Sequence, residues 1–196
     1  METFFFYLKL GLEHITDLNG YDHMLFIVAV ACFYPSNEVK KMVILLTAFT
    51  VGHSITLALA ATKTIHFSSS IAEIIIPFTI LCTSLINLYQ LNHPRNKNIL
   101  IYTIISIFGL IHGLGFSTYL SAILGNEESI VLPLLSFNIG IEIGQIVIVL
   151  LFLLLRNLIE KNIHCTHKES VIFLSGGTSF VSFILFMEHL SSYLKG

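Results

Sequence analysis

The chain carries little charge for its length. Of its 196 residues, ten are Lys or Arg and twelve are Asp or Glu, so 11% are charged while 55% are hydrophobic. A typical soluble domain is about 25% charged, and a single small domain cannot hide this much apolar surface from water. The composition therefore predicts an all-α, polytopic transmembrane helix bundle, with residues 1–196 forming a single integral membrane domain.

Three further absences exclude classes of function. No basic patch is present and the net charge is −2, so a nucleic acid is not an expected partner. The three cysteines are an odd number at unrelated spacings, which is typical of packed thiols rather than of a disulfide framework. No basic residue precedes the apolar part of METFFFYLKL, so we expect no cleaved secretory signal. We expect instead a short N-terminal helix that enters the membrane.

Six apolar segments predict membrane spans, since a helix needs roughly 17–25 residues to cross a bilayer. Polar breaks separate these segments, and several of the breaks contain Pro, Gly or Asn. The first segment is short, so we expect the helix before it to re-enter the membrane or pack against the bundle. The predicted spans are residues 22–34, 42–61, 71–91, 99–124, 131–155 and 171–190.

The basic residues orient the predicted bundle. Seven of the ten fall in the first, third and fifth loops: Lys40, Lys41, Arg95, Lys97, Arg156, Lys161 and Lys168. Because cytoplasmic loops carry an excess of Lys and Arg, both termini are predicted to lie outside. In a bacterial inner (cytoplasmic) membrane this is the periplasmic side.

The stretch GLEHITDLNGYDHMLF, residues 11–26, places two histidines and two aspartates at the predicted outer mouth of the first span. They are His14, Asp17, Asp22 and His23. A polar cluster at the edge of a strongly apolar run indicates a binding site for a polar ligand, since such residues are costly near lipid and are functional by default.

Two further histidines lie well inside predicted spans, away from their ends. His53 occurs in TAFTVGHSITLALA, and His112 occurs in IFGLIHGLGFSTYL beside glycines that leave room for its ring. Ionisable residues in a transmembrane helix usually face the bundle interior. The alternative is that each imidazole only makes a hydrogen bond between packed helices.

Glu142 lies near the middle of the fifth predicted span, in SFNIGIEIGQIVIVL. Asn138 and Gln145 share its helical face at i−4 and i+3, which makes one polar stripe on an apolar helix. Glu73, at the start of the third span, is either a further acidic group of the site or a carboxylate favoured by the helix dipole.

The predicted topology brings these residues together in the outer half of the bundle. Imidazoles and carboxylates in an apolar pocket favour a divalent transition metal ion, because the cation compensates buried carboxylates and imidazole suits Zn, Cu, Fe and Ni. The metal could be nickel, cobalt, zinc or copper. The predicted ligands are His14, Asp22, His23, His53, His112 and Glu142.

At these residues the chain resembles the HupE/UreJ family of membrane proteins associated with hydrogenase and urease systems. The resemblance covers residues 11–147 and rests on GLEHITDLNGYDHMLF, FTVGHSITLALA, FGLIHGLGF and FNIGIEIGQ. The chain departs from the family's first motif in having Ile15 after His14 and a longer interval before Gly20. The resemblance implies secondary transport of nickel or cobalt, and a metalloenzyme-maturation or membrane-anchored partner.

Three functions fit this pattern. The first is a metal cation permease, in which ligand protonation accompanies metal release. The second is an intramembrane metalloenzyme, in which a metal-activated water or a redox metal acts on a lipid or membrane-anchored substrate. The third is a structural or sensing site, whose ion only ties helices together. A polar path to the inner side would favour transport, but Asn87 and Gln90 are the main polar residues there.

Overall fold

The computed structural model describes residues 1–18, 20–65, 67–93, 98–125, 127 and 129–195. These residues form helices and no strand, which confirms the all-α prediction. In chain order the helices are α1 Glu2–Thr16, α2 Asp22–Cys32, α3 Val39–Ala61, α4 Ser69–Gln90, α5 Asn98–Leu124, α6 Val131–Ile163 and α7 His167–Lys195, with a 3-10 turn at Ser36–Glu38.

Five helices, α3 to α7, are long and apolar enough to cross a membrane. They match the second to sixth predicted spans. The first predicted span, residues 22–34, corresponds to α2, which has 11 residues. At 1.5 Å per residue α2 covers about 16 Å, against a hydrocarbon core of about 30 Å. Six complete spans are therefore not confirmed.

The fifth polar break is much shorter than the sequence suggested. Helix α6 continues through Arg156 and Lys161 to Ile163, and it ends where His164 adopts a left-handed backbone with φ 55°. The residues after the apolar run, RNLIEK, are mostly good helix formers and extend the helix beyond that run. Two other charges used to orient the bundle, Arg95 and Lys97, lie outside the described residues.

The surface of α6 is suited to lipid rather than water. Large aliphatic side chains along its outer face are about half exposed in the isolated chain. Such a continuous apolar face is costly in water and is the normal surface of a helix in a bilayer. It includes Leu135, Ile139, Ile143, Leu150 and Leu154.

The bundle is built from three extensive helix pairs: α3 with α5, α1 with α6, and α4 with α7. Hydrogen bonds between residues near the helix ends identify the two ends of the bundle. The upper end contains Met1 and Glu127, because Tyr7 near the start of α1 donates a hydrogen bond to Glu127 at 3.0 Å. The lower end contains residues 33–38 and 164–166, because Ser36 donates to Asn157 at 2.6 Å. The basic residues predict that the upper end faces outside.

Glycines allow α3 and α5 to approach backbone to backbone. A Cβ at Gly52 would collide with the carbonyl of Ser106, and one at Gly109 would collide with the carbonyl of Phe49. Small residues are the usual means of close helix packing in membranes. Residues further along α3 contact residues further along α5, so the two helices run parallel.

The lower end of α2 is held by Arg156 of α6, whose side chain is buried. Its Nη1 donates to the carbonyls of Cys32 and Tyr34 at 3.3 and 2.9 Å, and its Nη2 donates to Ser36 at 2.7 Å. Its Nε faces Glu160 at 3.6 Å. Because the last carbonyls of a helix have no partner within the helix, this arginine stabilises the end of α2.

Gly109→Val is expected to force α5 away from α3 and lower the free energy of unfolding by about 1–3 kcal/mol, the usual cost of overpacking. The unfolding temperature of the detergent-purified protein would measure this. Gly176→Val is the matched control, because a Cβ at Gly176 would have no atom of a packed neighbour within 4 Å among the described residues. Equal stability of the two variants would contradict a backbone contact between α3 and α5.

Candidate metal centre

Three histidines from three helices meet inside the bundle. His14 is near the end of α1, His23 is at the start of α2, and His53 is in the second half of α3. The structure places one ring nitrogen of each within 4.8 Å of the other two. Two nitrogens bound to one tetrahedral zinc ion are about 3.4 Å apart. The nitrogen atoms therefore have to approach one another by at most about 1.4 Å to share an ion.

His112 of α5 is the fourth imidazole of the cluster. Its ring centroid lies 5.3 Å from that of His23. Its Nδ1 is 2.8 Å from the carbonyl oxygen of Phe108. A carbonyl only accepts, so Nδ1 must carry the proton and Nε2 must carry the free lone pair. This is the tautomer that a metal ligand requires.

Several ring nitrogens in the cluster are buried and have no hydrogen-bond partner among the described residues. A buried polar atom without a partner is costly and calls for an explanation. A bound cation explains these atoms. It would accept a lone pair from each ring and so satisfy nitrogens that have no partner among the described residues. The atoms are Nε2 of His14, His23 and His112 and both nitrogens of His53.

Asp22 lies beside the cluster, where it accepts hydrogen bonds from His23. Its Oδ1 is 3.0 Å from His23 Nδ1 and 2.8 Å from the backbone nitrogen of the same residue. This contact fixes the proton of His23 on Nδ1 and turns Nε2 toward the other rings. The sequence predicts Asp22 as a direct ligand, and this stays a prediction; the hydrogen bonds to His23 also suit a carboxylate that orients a metal-binding histidine.

Glu142 is not among the residues whose ligand atoms lie within 4.8 Å of one another, which are His14, His23 and His53. It faces α3 from α6 and accepts a hydrogen bond from Thr47 at 3.4 Å. Gln145, one turn further along α6, accepts from Thr50 at 3.1 Å. Thr50 is itself one turn from His53. Glu142 therefore belongs to a second polar contact, on the lower side of the histidine cluster.

A cavity of about 230 Å³ opens beside the cluster. It is lined by His14, His23 and His112 on one side and by Glu73 of α4 on the other. Glu73 also faces His189 of α7, with 3.8 Å between Oε2 and Nδ1. The sequence left Glu73 undecided between a site residue and a helix-dipole carboxylate, and the structure places it at the edge of this cavity.

The helix pairs explain why the histidines meet. Gly113, next to His112, packs directly on the backbone of His53. On the other side Gly11 of α1 packs on the backbone of Phe137 of α6, one turn before His14. Any larger residue at these two glycines would separate the helices that carry the imidazoles. The glycines were visible in the sequence, but their partners were not.

The chain matches the family model described as HupE / UreJ protein over residues 1–189. This match covers nearly the whole chain, so the chain belongs to the HupE/UreJ family. No curated protein and no solved structure matches it. The family is linked to nickel and cobalt handling in membranes, which agrees with a membrane protein that carries a histidine cluster.

Proposed function

We propose that this HupE/UreJ protein binds a divalent transition metal ion at His14, His23, His53 and His112 and carries it across the membrane as a nickel/cobalt-type permease. The observation that carries the proposal is the convergence of three imidazoles from three helices, with the ring of His112 beside that of His23, all with ring nitrogens that lack partners among the described residues. Imidazole nitrogens suit nickel, copper and zinc.

Position within the bundle also supports transport. The cluster lies where the end of α1, the start of α2, the second half of α3 and the middle of α5 meet, and the cavity beside Glu73 gives it an approach from the upper side. We propose that this upper side is the periplasmic face of a bacterial inner membrane. An ion that entered there would lose its water to the imidazoles before reaching the lower half of the bundle.

Flux measurements test the proposal. Purified protein in liposomes that enclose a nickel-sensitive dye is expected to admit Ni²⁺ or Co²⁺, and His53→Ala is expected to stop the flux. His93→Ala is the control, since His93 is exposed and stacks on Tyr89 far from the cluster. Protein that binds metal tightly but passes none would contradict the permease.

An intramembrane metalloenzyme is the second candidate, and the cavity beside the cluster is the observation that favours it. A catalytic metal needs an open position for water or substrate, and Glu73 at the edge of that cavity could serve as a general base. A single ion that resists chelators, together with metal-dependent hydrolysis of a membrane-anchored substrate, would support this reading.

Asp22→Asn is expected to weaken metal binding by about 10–100-fold while the fold is retained. An amide can donate to Nδ1 of His23 as well as accept from it, so the variant no longer fixes the tautomer. Titration calorimetry with Ni²⁺ would measure the change. Glu13→Gln is the matched control, because Glu13 is exposed and pairs only loosely with Lys9 at 3.5 Å. A complete loss of binding would identify Asp22 as a direct ligand instead.

A further inference from the structure

An aromatic floor closes the histidine cluster on its lower side. Phe26 of α2 and Phe49 of α3 are fully buried, with 4.6 Å between their ring centroids. Phe108 of α5 lies 6.5 Å from Phe26. The floor touches the site directly, since the rings of Phe26 and Phe49 lie 5.1 and 5.0 Å from that of His112. The three rings are apolar, and the contact between Thr50 and Gln145 lies next to Phe49 on the α6 side.

A second cavity lies immediately below the floor. It has a volume of about 110 Å³ and is lined in part by Val30, Leu45 and Ile104. Each of these residues is four positions from one of the three phenylalanines on the same helix: Phe26 and Val30, Phe49 and Leu45, and Phe108 and Ile104. Residues at i and i+4 share a helical face, so each phenylalanine lies one turn above the cavity wall.

The lower cavity offers oxygen atoms rather than imidazoles. Thr83, Asn87, Gln90 and Tyr34 line it. Asn87 donates its Nδ2 to the carbonyl of Ala29 at 2.6 Å, which leaves Oδ1 to serve a cation. Burial raises the pKa of Tyr34 to about 12, so its phenol stays neutral. The two polar residues that the sequence showed in the lower half, Asn87 and Gln90, both lie on this cavity.

We propose that Phe26, Phe49 and Phe108 form the gate of the metal path and that the cavity beneath them is its lower half. The proposal rests on the permease function. A hydrophobic constriction stops a hydrated or bare ion until the rings move apart. Past the gate the ion exchanges nitrogen ligands for neutral oxygen ligands, which bind nickel, copper and zinc less well. An ion that has reached these weaker ligands dissociates from them more readily toward the lower end.

Phe26→Ala is expected to raise Ni²⁺ flux into liposomes by about tenfold, the effect of lowering a barrier by 1.4 kcal/mol. Metal binding to the histidines should stay unchanged, because Phe26 contributes no ligand atom. Phe26→Leu keeps most of the volume and should give a smaller increase. Phe173→Ala is the control, since Phe173 is 81% exposed on α7 and far from the path.

Cysteine accessibility tests the same gate independently of flux. Leu45→Cys, in a background whose three native cysteines are replaced by alanine, places a thiol in the lower cavity. A membrane-impermeant thiol reagent added at the lower side is expected to label it. The reagent added at the upper side should label it only when Phe26→Ala is also present.

The outcomes separate the gate from the function on which it rests. Wild-type protein that passes no metal would overturn both. Wild-type flux that Phe26→Ala leaves unchanged, with metal binding intact, would overturn the gate alone. Labelling of Leu45→Cys from the upper side in protein with Phe26 intact would also overturn it, because the floor would then be open.

Discussion

Replacing His53 by alanine is expected to lower metal affinity by more than about 100-fold, beyond the 10–100-fold loss typical of a residue that only orients a ligand. His53 is fully buried, and both of its ring nitrogens lack a hydrogen-bond partner among the described residues. An imidazole placed there for packing would normally have a partner, since a buried polar group without one is destabilising. The unpartnered nitrogens therefore indicate a ligand.

Thermal unfolding distinguishes a ligand from a packing residue. A ligand that binds only the folded state stabilises it by RT ln(1 + [L]/Kd), so wild-type protein should unfold at a higher temperature with added Ni²⁺. His53→Phe should unfold near the metal-free wild type and show no increase with Ni²⁺. His93→Ala should behave like the wild type. A large loss of stability without metal, and an unchanged response to Ni²⁺, would make His53 a packing residue.

Replacing Arg156 by methionine is expected to lower the free energy of unfolding by about 3–5 kcal/mol, the usual cost of removing one partner of a buried ion pair. Methionine keeps much of the side-chain volume but none of the donors. The carbonyls of Cys32 and Tyr34 would lose their partner, and the buried oxygen of Glu160 would lose its nearest charge.

A double substitution separates the two parts of this effect. Arg156→Met with Glu160→Gln removes the uncompensated carboxylate and should recover part of the lost stability. Lys161→Met is the control, because Lys161 is exposed on the same helix. Denaturant titration in detergent would measure all three variants. An Arg156→Met variant as stable as the control would show that α2 is held by its apolar contacts alone.

The positions of the clustered histidines were predictable because ionisable side chains stand out in apolar spans. His23, His53 and His112 were identified in this way, and His14 was identified from its place at the predicted mouth. The side chains that act on them were harder to assign. Whether Asp22 binds an ion or holds His23 depends on a rotamer, and a rotamer leaves no pattern in the sequence.

The remaining differences arise from the relative depth and length of the helices. Glu142 pairs with Thr47 rather than with the histidines, because the offset between α3 and α6 decides which turns face each other. Arg156 was expected in a loop, but α6 continues past the apolar run and brings its guanidinium under α2. The floor at Phe26 combines three helices, and each phenylalanine alone looks like ordinary apolar core.

X-ray absorption spectroscopy of the protein loaded with one equivalent of zinc tests the central claim most directly. We expect a first shell of nitrogen at about 2.0–2.1 Å, with the outer-shell scattering of three or four imidazole rings, and a lower ring count in His53→Ala. A first shell of oxygen without imidazole scattering, or a spectrum unchanged in His53→Ala, would contradict a metal site formed by His14, His23, His53 and His112.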